Sequence, residues 1–104
     1  MNTDEYDNFE IKSRVVKYKL EITEHQSIEI GGNMPKFLAV RELGVELVIW
    51  VEQEIDYPGT FKIDIDIAET DKEFYSKGSY VGTVIMSTGK ELHVYAKSHY
   101  TRAG

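Results

Sequence analysis

The chain has 104 residues, 41% of them hydrophobic, and its 18 acids outnumber its 12 lysines and arginines, for a net charge of −6. This length suits one domain that buries a hydrophobic core without help from a metal or a disulfide. The absence of cysteine excludes disulfides, thiolate nucleophiles and cysteine-bound zinc or iron–sulfur sites, and it suits a reducing compartment.

The chain begins with a polar stretch that is followed by two strand signals. Residues 1–11 are acidic and lack a clear period, which predicts a flexible acidic N-terminal arm. Residues 12–23 alternate between apolar and charged positions, which predicts a half-buried first strand. We predict a turn at Glu24–Gln26 and a short second strand over residues 27–30.

The next segment predicts the centre of the sheet. Gly31–Pro35 breaks the strand pattern, because glycine and asparagine tolerate positive φ and proline cannot donate to a ladder. Phe37–Leu43 and Val45–Glu52 follow as two strands around a tight turn, and the second is apolar on both faces, as expected of a central strand. Its run Leu47–Val51 is the longest apolar stretch, far too short to cross a bilayer, and no signal-peptide segment precedes the first strand. We therefore expect a soluble, cytoplasmic protein.

The clearest strand signal is the strict alternation of Phe61–Ala68. Asp64 and Asp66 point to one side of this strand, and the opposite side is apolar. Its apolar positions are Phe61, Ile63, Ile65 and Ile67. The apolar side requires a core, whereas the acidic side requires water or a cationic partner.

The last third of the chain predicts a loop and a hairpin. Glu69–Ser79 is a polar loop with room for one helical turn. Tyr80–Met86 and Glu91–Lys97 form a terminal hairpin, and residues 98–104 are expected to be a C-terminal tail. About seven short strands separated by turns predict an all-β fold, a small antiparallel sandwich or partly open barrel, with a single domain over residues 12–97.

Several dispersed segments between about residues 15 and 97 resemble a family of small phage and prophage proteins of unknown function. The segments that carry the resemblance are Lys17–Thr23, Gln26, Ile28, Phe37–Val40, Leu47–Trp50, Thr60–Ile63, Tyr80–Thr83 and Leu92–Tyr95. The resemblance implies a phage-encoded product of the bacterial host cytoplasm, and it carries over no functional residue. The chain departs from the family pattern at Asp64–Glu69, where a glycine-rich segment is expected, so its acidic middle is interpreted as its own feature.

Negative charge is concentrated in residues 42–73, which hold ten acids against Lys62 and Lys72. Such a field repels phosphate and attracts a basic protein surface. Aromatic residues in the predicted loops of this region are candidates for an interface, because side chains in surface loops have less access to the hydrophobic core. The predicted partner-binding residues are Glu52, Glu54, Asp56, Tyr57, Asp64, Asp66, Glu69, Asp71, Glu73, Phe74 and Tyr75.

The sequence offers no clear catalytic or metal-binding motif. Asp64 and Asp66 have a spacing that can hold Mg²⁺ beside substrate phosphates, but no glycine-rich phosphate loop accompanies them. His25, His93 and His99 fall on different predicted elements and share no ligand spacing. Because no nucleophile, base and oxyanion donor can be assembled, we predict a protein that is not an enzyme and has no cofactor.

We expect this protein to dock its acidic, aromatic surface on a basic site of a bacterial host protein and to inhibit or modulate it, by blocking or mimicking nucleic-acid engagement. The phage resemblance favours a host-takeover or anti-defence role. One alternative is sequestration of a small nucleotide-like signal by Lys17, Lys19, Lys36 and Arg41, and another is a virion accessory or structural protein. We expect no direct binding of nucleic acid or membrane, and both a monomer and a homodimer remain open.

Overall fold

Alternating apolar and polar side chains give this chain seven β-strands. The structure, a computed structural model, describes residues 12–32, 35–55 and 59–102, with only the backbone for 101 and 102. The strands are β1 (Ser13–Leu20), β2 (His25–Gly31), β3 (Lys36–Leu43), β4 (Glu46–Glu54), β5 (Thr60–Glu69), β6 (Ser79–Ile85) and β7 (Glu91–Arg102). The described ranges contain no helix that could cross a membrane.

The strands form two antiparallel sheets that pack face to face. One sheet has the order β1-β4-β3 and the other has the order β2-β5-β7-β6. The sheets do not close into a barrel, so the fold is an all-β sandwich, and the predicted fold class is confirmed. The apolar strand β4 is the central strand of its sheet, as its sequence predicted.

The core lies between the sheets and takes inward-facing side chains from all seven strands. Ile63 and Ile65 on β5 have no exposed surface, as the alternation of that strand predicts. Burying a side chain of this size stabilises the fold by about 1.5–3 kcal/mol. The buried cluster comprises Leu20, Ile30, Val40, Leu47, Ile49, Val51, Phe61, Ile63, Ile65, Ile67, Val84, Met86, Leu92, Val94 and Ala96. No polar or charged residue is buried among those the structure describes.

The boundary between β1 and β2 differs from the prediction. β1 ends at Leu20 rather than at residue 23, and β2 already begins at His25, so the predicted turn at Glu24–Gln26 is wrong for its last two residues. After β1 ends, the backbone of Glu21 bonds to the side chain of Gln26 instead of to a neighbouring strand. The Gln26 Oε1 accepts a hydrogen bond from the Glu21 N–H at 3.0 Å, and the Gln26 Nε2 donates one to the Glu21 carbonyl at 2.6 Å. The connection between β1 and β2 therefore spans residues 21–24, which lies earlier in the chain than the predicted turn and is one residue longer.

The C-terminal strand is longer than predicted. β7 runs to Arg102, so residues 98–102 belong to the sheet and are not a tail. The long neighbour β5 offers partners along its whole length, and Lys62 pairs with His99 while Phe61 pairs with Tyr100. The rings of Phe61 and Tyr100 also meet edge to face, with centroids 5.1 Å apart. The predicted N-terminal arm lies outside the described residues.

Gly32 at the end of β2 lets the chain pass close to the other sheet. Its φ is +108°, and a Cβ at this position would lie 2.2 Å from the carbonyl oxygen of Glu54. Both the backbone conformation and the space therefore require glycine. This close approach joins the end of β2 to the end of β4.

Candidate partner-binding face

The outer face of the four-stranded sheet is polar and arranged in rows that cross the strands. Antiparallel pairing places Ser27, Asp64 and Lys97 in one row. The next row contains His25, Asp66 and Tyr95. We call this outer face, together with the adjoining residues 69–78, the acidic face.

Asp64 is held by two neighbours on this face. Its Oδ1 accepts a hydrogen bond from Ser27 Oγ at 2.7 Å, and its Oδ2 lies 3.0 Å from His99 Nε2. The Ser27 hydrogen bond is the main cause that lowers the pKa of Asp64 below its ordinary value; partial burial opposes it, and His99 and Lys62 add to it. Asp64 is therefore a stabilised carboxylate with partners inside its own sheet.

Asp66 is also partnered within the sheet. Its Oδ1 makes a hydrogen bond with Nδ1 of His25 on the neighbouring strand. The carboxylate is half-buried, whereas the imidazole is exposed. The two aspartates that the sequence singled out thus contact histidines of their own protein.

Residues 70–78 run beside the sheet and are attached to it by aromatic and backbone contacts. The ring of Phe74 packs on Tyr95 with centroids 5.2 Å apart, and Tyr80 meets the same Tyr95 edge to face at 5.7 Å. At Gly78, a Cβ would lie 2.7 Å from the backbone of Ala96. Tyr75, between these anchors, is 89% exposed.

An open groove runs between this segment and the edge of the sheet. Its volume is about 810 Å³, and Tyr75 and Lys77 line one side while His25 and Ser27 line the other. A second hollow of about 490 Å³ lies beside Glu69 and Glu73, and Tyr75 lines both hollows. The acidic face is therefore a concave surface with an exposed tyrosine between two hollows.

The structure divides the predicted partner-binding residues between the two sheets. Asp64, Asp66, Glu69, Asp71, Glu73, Phe74 and Tyr75 all lie on the acidic face. Glu52 and Glu54 lie instead on the outer face of the other sheet, where they are in register with Val15 and Ser13. Asp56 and Tyr57 lie outside the described residues. Glu52 and Glu54 therefore do not share a face with the other predicted residues, because the consecutive strands β4 and β5 belong to different sheets.

The sequence did not reveal that the histidines lie on one face of one sheet. The sequence predicts His25 in a turn and His99 in a tail, but both are strand residues, and they contact Asp66 and Asp64 respectively. His93 lies further along the same face, with Nε2 2.8 Å from Thr70 Oγ1 and Nδ1 2.9 Å from Thr83 Oγ1. Only the strand register could show this, since no local pattern links these positions. Within the described ranges, no group of three potential ligands is arranged to hold a metal ion.

The outer face of the other sheet carries the basic residues that the alternative hypothesis singled out. Lys17 is in register with Trp50, and Arg41 is in register with Val48. Lys36 lies opposite Glu52, and Lys19 makes an ion pair with Glu46 at 3.1 Å. Four cations from β1 and β3 therefore lie on the same outer face as the half-buried Trp50, together with Glu46 and Glu52 of β4.

Comparison with known proteins gives one match at the family level. Residues 11–103 match the model of a family described as Domain of unknown function (DUF7352). No curated protein matches the chain, and no solved structure matches it.

Proposed function

The chain belongs to the DUF7352 family, and from its own site we propose that it is a non-enzymatic binding protein that docks its acidic face on a basic surface of a bacterial host protein. The resemblance to phage and prophage proteins supports a role as an inhibitor of that host protein in the host cytoplasm. A basic surface used for nucleic-acid binding would suit this acidic face best, because phosphate and carboxylate attract the same cationic groups.

The observation that carries this proposal is the position of Tyr75. A tyrosine with 89% of its surface exposed lies between two hollows, one of which is also lined by Glu69 and Glu73. Tyrosine is enriched among the residues that dominate binding energy, since it buries a large apolar ring and still offers a hydroxyl. The surrounding carboxylates supply electrostatic attraction for a basic partner, which raises the association rate more than the final affinity.

The surroundings of His93 differ from those of a histidine in a hydrolytic triad. Both ring nitrogens contact threonine hydroxyls, and Thr70 lies between the imidazole and Glu91, to which it donates a hydrogen bond at 2.9 Å. In a hydrolytic triad, one nitrogen faces the nucleophile and the other donates directly to a carboxylate. His93 lacks that direct carboxylate contact, so its hydrogen bonds serve the attachment of Thr70 to the sheet.

A matched pair of charge reversals tests the proposal. The wild-type protein, the variant Glu69→Lys/Glu73→Lys and the variant Glu52→Lys/Glu54→Lys are immobilised, and bacterial lysate is passed over each at low and moderate salt. Both variants change the net charge equally, but on opposite faces of the sandwich. We expect one salt-sensitive host protein to bind the wild type and the Glu52/Glu54 variant and to be lost from the Glu69/Glu73 variant. Equal retention by all three would overturn the acidic face as the binding surface.

The lysines and arginine on the outer face of the three-stranded sheet, which also carries Trp50, favour a second candidate function, the sequestration of a small nucleotide-like anion. An aromatic ring with Lys17 and Arg41 nearby can stack on a base and bind its phosphate. Trp50 is the sole tryptophan of the chain, so its fluorescence reports directly on this face. A nucleotide ligand should change that fluorescence and raise the melting temperature with concentration. The variant Lys17→Glu should weaken both effects, and unchanged signals across a nucleotide panel would exclude this candidate.

A further inference from the structure

Each sheet of the sandwich has two edge strands, and their protection differs. β1 and β3 are the edges of one sheet, and β2 and β6 are the edges of the other. An edge strand presents unpaired backbone N–H and C=O groups that can pair with another chain. Proteins protect such edges with bulges, with lysines or prolines, or by covering them.

Three of the four edges carry such protection. β3 has an irregularity between Phe37 and Ala39, and β6 has one between Tyr80 and Gly82. These two strands also pack against each other, as shown by the approach of Gly82 to Val40. β1 places Lys17 and Lys19 on its exposed side. Each of these features opposes the addition of another strand.

β2 has none of these protections. Its register with β5 is unbroken from His25 to Gly31, and its sequence contains neither lysine nor proline. No strand among the described residues pairs with its other side. β2 is therefore the edge that is open to strand addition.

The backbone groups that face this open edge can be identified from the flanking hydrogen bonds. The Ile67 N–H donates to the Glu24 carbonyl at 3.0 Å, and the Gly32 N–H donates to the Gly59 carbonyl at 3.1 Å. Residues of an antiparallel strand bond alternately to one side and the other, so the even-numbered residues of β2 bond to β5. The odd-numbered residues direct their N–H and C=O groups to the open edge. They are His25, Ser27, Glu29 and Gly31.

We propose that this edge binds a second copy of the chain, with β2 pairing antiparallel to β2 of the partner subunit about a two-fold axis at Ile28. In this register, every residue of β2 lies opposite a residue of β2 of the partner subunit, and all the edge-facing residues can form hydrogen bonds. It places the half-buried Ile28 beside Ile28 of the partner subunit, and Glu29 opposite Ser27 of the partner subunit. A two-fold axis at Glu29 would instead oppose like charges, which destabilises a strand pair.

The dimer would turn two four-stranded sheets into one continuous sheet. Because a two-fold axis at this edge preserves the outer side of the sheet, both acidic faces would lie on the same side of the dimer. The dimer proposal does not depend on the proposed function, but it would make the protein bivalent toward any partner of that face.

The first test compares two substitutions of one residue. Because Glu29 directs its N–H to the open edge, Glu29→Pro removes a donor of the dimer without removing a hydrogen bond to β5, whereas Glu29→Thr keeps the N–H. Sedimentation equilibrium over a range of concentrations should give a dimer for the wild type and for Glu29→Thr, and a monomer for Glu29→Pro. Circular dichroism checks that the proline variant keeps its strands. A wild-type protein that stays monomeric at its highest soluble concentration, or a proline variant that dimerises equally well, would overturn the proposal.

A second test does not depend on the proline variant. The chain has no cysteine, so Ile28→Cys introduces a single thiol. In the proposed register, residue 28 and its copy form a pair without mutual hydrogen bonds, in which the Cβ atoms are close enough for a disulfide. Under mild oxidation, Ile28→Cys should form a covalent dimer much faster than Val15→Cys, whose residue is exposed on the edge strand β1. Equal rates for the two variants would contradict β2 pairing.

Discussion

His99 Nε2 lies 3.0 Å from Asp64 Oδ2, although the two residues are 35 positions apart in the sequence. This contact joins β7 to β5 on the acidic face, and the Ser27 hydroxyl extends it to β2. Asp64 therefore contributes to the stability of the sheet as well as to its surface charge.

Replacing Asp64 should destabilise the fold although its side chain is partly exposed. We expect Asp64→Ala to lower the free energy of unfolding by about 1 kcal/mol, because the Ser27 and His99 hydrogen bonds are lost. Ser27→Ala should cost a similar amount, and the double variant should cost less than the two single variants together. Urea denaturation measures all three. Glu73→Ala, on the exposed segment, serves as the control and should change stability little.

The lowered pKa of Asp64 predicts a dependence of stability on pH. A carboxyl whose pKa is lower in the folded state contributes stability that is fully present above its ordinary pKa and is lost as the pH falls through the folded-state pKa. The wild type should therefore lose more stability than Asp64→Asn when the pH is lowered from neutral into the acid range. Denaturation midpoints at a series of pH values measure the difference. Parallel curves for the two proteins would show that the carboxylate is not stabilised in the fold.

Gly32 and Gly44 distinguish two reasons why a position requires glycine, namely a positive φ and a lack of space for a Cβ atom. Both have positive φ, but a Cβ at Gly44 would meet nothing within 4 Å, whereas a Cβ at Gly32 would meet the Glu54 carbonyl oxygen. Gly44→Ala should cost about 1–2 kcal/mol from backbone conformation alone. Gly32→Ala adds the clash and should cost about 3 kcal/mol or more. Thermal unfolding of both variants gives the comparison, and equal costs would contradict the close approach of β2 to β4.

Removal of residues 99–104 should destabilise the protein, because β7 continues to Arg102. The truncation removes the contact of His99 with Asp64 and the ring of Tyr100 from Phe61. We expect a loss of about 2 kcal/mol, which is visible as a lower melting temperature in calorimetry. A truncated protein as stable as the full chain would restore the interpretation of this segment as a tail.

The strands whose two faces differ most in polarity could be located from the sequence. Phe61–Ala68 was predicted as a strand because its apolar positions alternate without interruption, and β5 extends it by a single residue at each end. The ends of β1, β2 and β7 could not be located in the same way. Gln26 satisfies the backbone of Glu21 through its side chain, and β7 is prolonged by a partner strand 35 to 42 residues away, so neither effect leaves a local pattern.

The residues of the candidate site also divide into those whose position could be predicted from the sequence and those whose position depends on strand pairing. The loop carrying Glu69, Glu73 and Tyr75 was predicted from its own composition, since charged residues and aromatics in a polar loop have little access to a core. The separation of Glu52 and Glu54 from Asp64 could not be predicted, because it depends on which sheet each strand joins. The pairing of the aspartates with His25 and His99 depends on register as well.

The sequence by itself determined that this protein is an all-β domain without cysteine chemistry and with an acidic middle third, because strand periodicity, residue type and charge are local properties of the chain. The tertiary structure alone decided that β4 and β5 lie in different sheets, that three histidines share one face, and that β2 is the unprotected edge. Strand pairing joins residues through backbone hydrogen bonds that every sequence can form. The choice among possible pairings is therefore made by the packing of the whole core, and it cannot be read from any one segment.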